Sequence, residues 1–146
     1  MKKLVSIILL TAFIFYLQPA VISAQQNDDA AVKTVLKNIL DLSKSKSYDK
    51  LAAYVAYNGD NKSRLYKTTY DPKVKDELIQ VQRVGRKISA LISLSDNYSI
   101  SKTEVSKIEG VDGYKVVVNF KSGEQSLETS FEFIKLDSGY ALFDIN

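Results

Sequence analysis

The sequence predicts an α+β fold: three N-terminal helices packed on a curved four-stranded antiparallel sheet, together forming a cone. Three observations carry this. Apolar residues recur at helical spacing in the first half of the chain and alternate with polar ones in the second. Ser122-Gly123 and Asp137-Ser138-Gly139 separate the alternating segments at hairpin spacing. All helical patterns precede all strand patterns, an order that segregates helices to one face of an antiparallel sheet.

The chain starts with the layout of a secretory leader. Lys2-Lys3 is followed by the apolar run Leu4–Leu17, then Pro19 and the small residues Ser23 and Ala24. The apolar run is short against the roughly 20 residues that cross a bilayer. The expectation is a signal peptide over 1–24 and one domain over 25–146, exported to a periplasmic or extracellular address without stable membrane insertion after cleavage. The formal charge is +3 and the leader contributes Lys2 and Lys3 to it. Nothing in that balance asks for nucleic acid as a partner. Cysteine is absent, so no disulfide supports the fold.

Asn27 or Asp28 is placed to cap a first helix whose apolar stripe is Val32, Val35, Leu36, Ile39 and Leu42. Ser47 is placed to cap a second over Tyr48–Tyr57, ended by Asn58-Gly59 with Gly59 left-handed. Asp60–Tyr70 lacks a period and reads as an ordered loop. Asp71-Pro72 predicts the start of a long helix reaching about Leu94, with aspartate as cap and proline in the first helical position. Gly85 falls on its apolar face and implies close packing against a neighbour. Arg83, Arg86 and Lys87 fall on its polar side and read as solvent charges. Tyr98–Ile108 is the first strand, and a change of phase near Lys102 predicts a bulge. Tyr114–Phe120, Leu127–Leu136 and Tyr140–Ile145 complete the sheet. Phe120, Phe131 and Phe133 should face the helices, with Glu128, Ser130 and Glu132 in solvent.

Ser-Tyr-Asp-Lys-Leu-Ala-Ala-Tyr at 47–54 and Phe-Glu-Phe-Ile-Lys-Leu-Asp-Ser-Gly-Tyr-Ala-Leu-Phe-Asp-Ile at 131–145 carry a family resemblance. In this layout the chain resembles the nuclear-transport-factor-2-like, or cystatin-like, superfamily, especially its small exported bacterial members. The resemblance implies a cone-shaped domain. It does not imply one activity, because that superfamily spans isomerases, dehydratases, scaffolds and binding modules.

The chain has no histidine and no cysteine. That removes histidine-based nucleophilic catalysis and the usual nitrogen and sulfur metal ligands. No catalytic residue, cofactor or metal site is expected. Lys62, Arg64, Tyr66, Lys67 and Tyr70 form a basic and aromatic segment. It suits an anionic small molecule, a glycan or a peptide; the plainer reading is a solvated loop with Arg64 tied to a carboxylate. Asp144 shares the parity of Tyr140 and Leu142, which turns it toward the helices, where Arg64 is its expected partner. The candidate ligand-binding residues are therefore Arg64, Tyr66, Lys67, Tyr70 and Asp144. The expected function is a noncatalytic exported binding module, monomeric or a weak homodimer. The alternative is an isomerase or dehydratase using a carboxylate base in the cone.

Overall fold

The computed structural model of the protein describes residues 19–146, with side chains from Asn27 onward. The expected leader segment Lys2–Leu17 lies outside the described residues. Contacts divide the chain after Ala31, and the packing below concerns Val32–Asn146.

The fold is α+β with an open antiparallel sheet. The elements are α1 (Pro19–Lys44), α2 (Tyr48–Leu51), a 3-10 turn (Ala52–Tyr54), α3 (Lys75–Ser93), β1 (Asn97–Ile108), β2 (Val111–Ser122), β3 (Gln125–Leu136) and β4 (Gly139–Ile145). The strands lie side by side in chain order. No helix among the described residues is long and apolar enough to cross a membrane.

α1 runs through Asn27 and Asp28, so neither residue caps it. Glutamines and alanines there favour continuation, and nothing breaks the helix. Its C-terminus closes with Lys46 at φ 57°. The Lys46 N–H donates to the Ser43 carbonyl and the Ser47 N–H to that of Leu42. This is a Schellman closure with lysine in the left-handed position. It also fixes Ser47, which makes no side-chain cap to α2. The expected helix over Tyr48–Tyr57 shrinks to one turn of α2 and the 3-10 turn. Val55 and Ala56 leave it to bridge Leu142 and Thr69, so sheet pairing overrides local propensity.

α3 starts later than Asp71-Pro72 suggests. Asp71 Oδ1 accepts from the Lys73 N–H at 2.9 Å, and the Asp71 carbonyl accepts from the Val74 N–H at 3.1 Å. Asp-Pro thus forms a turn ahead of the helix, a use those residues serve equally well. Val81, Gly85 and Ile88 make its buried stripe.

Val32, Leu36, Ile39, Leu51, Val81 and Ile88 pack with Val116, Val118, Phe120, Phe131 and Phe133 in the main core. The register slips between Ile100 and Lys102, where the phase change predicts a bulge. The hairpin loops differ by a residue from expectation: Ser122 pairs Gln125 and Leu136 pairs Gly139. The two-residue loops are therefore Gly123-Glu124 and Asp137-Ser138, with Gly123 at φ 58°.

The outer face of the sheet is not uniformly polar. Glu128 is exposed, while Ser130 and Glu132 are half-buried. Further along, Ile108, Ile134, Leu136 and Ala141 form a second core with Ala56, and Tyr66 and Phe143 pack on it. Ile134 and Leu136 have the parity opposite to Phe131 and Phe133, so both faces are apolar at this end. β1 is an edge strand with Tyr98, Ile100 and Val105 partly exposed. Its bulge and its Lys102, Glu104 and Lys107 side chains oppose pairing with another strand.

A Cβ at Gly85 would lie 2.7 Å from Tyr48 Cε1 and 2.9 Å from Leu51 Cδ2. The expected contact partner is thus α2. Helix propensity favours alanine by about 1 kcal/mol, but overpacking typically costs about 1–3 kcal/mol. Gly85→Ala should therefore be net destabilising in urea unfolding; a stabilised variant would show that α2 is loosely held.

Candidate functional site

The loop between Ala56 and Asp71 is organised around the Tyr57 phenol. Tyr57 is 7% exposed. The Asn61 N–H donates to its hydroxyl at 3.1 Å. Arg64 lies over its ring, 4.2 Å from the centroid. Tyr70 meets it at 5.3 Å between centroids. A Cβ on Gly59 would sit 2.6 Å from its oxygen. Gly59 is therefore glycine for close approach, and its φ is not among the positive ones.

Arg64 holds the loop to α3. Its Nη1 donates to Glu77 Oε1 at 2.6 Å and its Nη2 to Glu77 Oε2 at 3.0 Å. Nη2 also donates to the Thr69 carbonyl at 3.0 Å, and Nε to Thr68 Oγ1 at 3.3 Å. Glu77 Oε2 accepts a third N–H, that of Asp71, at 2.7 Å. The Arg64 and Glu77 side chains are 28% and 13% exposed, so water screens this pair less than an open surface bridge. The Arg64 hydrogen bonds hold the Glu77 carboxyl below its ordinary range, against the opposing effect of burial. Burial pushes the Tyr70 hydroxyl up, with a smaller opposing effect from an Asn58 backbone hydrogen bond.

A cleft of about 400 Å³ opens beside this cluster, lined by Tyr57, Asn58, Asp60, Tyr70, Asp76, Glu77 and Gln80 among others. It offers the half-buried Tyr70 side chain and several hydrogen-bonding groups. Glu77 is a poor general base because its oxygens are already engaged by three donors and its proton affinity is lowered. Tyr70 stays protonated and can act as a hydrogen-bond donor. Among the described residues no group of three or more Asp or Glu side chains is close enough to hold a metal.

The five sequence-derived candidates do not converge. Arg64 and Tyr70 belong to the cleft cluster. Tyr66, at φ 60°, packs on Phe143 with centroids 5.5 Å apart, on the outer face of the sheet. Lys67 is exposed. Asp144 is exposed too and does not meet Arg64. The strand register explains why: Phe133 pairs Leu142 but Glu132 pairs Asp144, so Phe143 is an extra residue. That bulge reverses parity and turns Asp144 outward while Ile145 turns in. The expected Arg64–Asp144 pair is thus replaced by Arg64–Glu77, an arginine–carboxylate tie with a different carboxylate. The helical pattern over Tyr48–Tyr57 hides Tyr57 as the hub of the loop. The Tyr57-x-Gly59 spacing was the available signal.

No family model matches the chain, and no curated protein or solved structure matches it.

A carboxylate held below its unfolded-state value stabilises the fold fully above that value, and the contribution fades as pH falls through the lower folded value. Unfolding stability should therefore decline in acid more steeply for the wild type than for Glu77→Gln. Parallel acid profiles would mean that the Arg64–Glu77 pair does not persist in solution.

Proposed function

We propose that the protein is an exported binding module of the nuclear-transport-factor-2-like type, with its sheet curved into a cone. Its ligand is a hydroxyl-rich small molecule or glycan taken by the Tyr57–Tyr70 cleft. The observation that carries this reading is the state of Glu77. An acid–base enzyme needs a carboxylate poised near its working pH and free to reach substrate. Glu77 is shifted the other way and bound by Arg64 and Asp71. What remains available is the half-buried Tyr70 side chain with the polar groups of Asn58, Asp60, Asp76 and Gln80, a combination suited to hydrogen bonding and stacking. Export is supported by the Lys2-Lys3 start, the apolar run and the small residues before Gln25. Cleavage after Ala24 would shorten α1 and leave every core residue from Val32 onward in place.

Titration with a panel of neutral trisaccharides, followed by amide chemical shifts, tests the cleft. Binding should move the Tyr70, Asp76 and Gln80 resonances together, and Tyr70→Ala should weaken it about tenfold, the equivalent of 1.4 kcal/mol. Shifts confined to other surfaces, or turnover of a saccharide, would contradict the reading.

A further inference from the structure

We propose a second binding site, for a small amphipathic carboxylate, in the pocket between α3 and the end of β4. The pocket has a volume of about 200 Å³ and shares no lining residue with the Tyr57 cleft, although Gln80 of the cleft bonds Arg83 of the pocket. Val55, Val84, Leu142 and Ile145 give it an apolar lining, and Arg83 and Lys87 supply its cations. The two cations are one helical turn apart and therefore share a face of α3. Lys87 is not a freely solvated charge. Its amine donates to the Ile145 carbonyl at 2.5 Å, a partly buried bond. That bond uses one of three N–H donors and fixes the ammonium at the pocket edge, leaving two for a ligand. The Arg83 guanidinium has only a 3.3 Å bond to the neutral Gln80 Oε1. Neither cation enters any of the ion pairs among the described residues.

Asp144 also lines the pocket. The Phe143 bulge turns this carboxylate outward, opposite Glu132, so it sits at the rim. The pocket lining itself carries two cations and one anion above an apolar floor. This combination selects a ligand with a carboxylate head and a short apolar body over a neutral or cationic molecule of the same shape. The site does not depend on the cleft assigned above, and different residues test it.

The probes are octanoate, octan-1-ol and octylamine, titrated calorimetrically into the full chain. Octanoate should bind about tenfold or more tightly than octan-1-ol, the size expected for one charge-assisted hydrogen bond. Octylamine should bind more weakly than either. Lys87→Gln should weaken octanoate about tenfold and leave octan-1-ol unchanged. Arg83→Gln, at an exposed position, provides the same comparison if Lys87→Gln fails to fold. Asp144→Asn should tighten octanoate, and Tyr70→Ala in the cleft should leave it unchanged. Equal affinity for octanoate and octan-1-ol, no octanoate binding, or insensitivity to the folded cation variant would overturn the proposal.

Discussion

The Arg64 guanidinium is the fastening on which the candidate site depends. The chain from Ala56 to Asp71 contains no helix or long strand, and its own backbone bonds are confined to turns at Asn61 and Arg64 and to the Tyr57–Thr68 pair. Its two ends are tied to each other by the Ala56–Thr69 bridge and to the sheet by the Val55–Leu142 bridge, and its middle is held by Arg64. That side chain reaches Glu77 twice, Thr68, the Thr69 carbonyl and the Tyr57 ring. A planar fork makes this possible, and a lysine ammonium could not reproduce it. The same loop carries Tyr66 onto Phe143, covering apolar surface on the outer face. A left-handed tyrosine costs about 1–2 kcal/mol, which that packing offsets. One ion pair therefore serves both the cleft and the second core.

Period was the most informative part of the sequence. Alternation identified the strands, and helical spacing identified the inner faces of α1 and α3, because burial of those faces is what stabilises the elements. The bulge near Lys102 was legible because it left a change of phase in the residues themselves. The Phe143 bulge left none. Tyr140, Leu142 and Asp144 keep an unbroken alternation, and only the pairing with Phe133 and Glu132 shows that a residue is extra. That is why Asp144 was assigned to the wrong side.

Capping residues were misleading for a related reason. Asp71-Pro72 is suited to a helix start, but the same chemistry makes turns. At Asp71 the choice is made by Glu77, whose carboxylate takes the Asp71 N–H as well as Arg64. At Ser47 the helix does start, with α2 running from Tyr48, although the serine side chain makes no capping bond. The Asp71 outcome rests on a partner that local sequence does not indicate. Gly59 shows the same limit: its position after a helical pattern suggested a left-handed cap, whereas the space beneath the Tyr57 phenol requires it.

If Arg64 orders the loop, then weakening it should release the loop before the sheet. Hydrogen exchange of the Arg64→Lys variant measures this directly. The Tyr57 N–H, bonded to Thr68, and the Tyr70 N–H, bonded to Val55, should lose most of their protection. The Asn61 N–H, bonded to the Tyr57 hydroxyl, should follow. Val118 in the paired centre of the sheet should keep its protection. Unchanged protection at Tyr57, Asn61 and Tyr70 would contradict the account and leave the loop held by its backbone bonds and aromatic packing without Arg64.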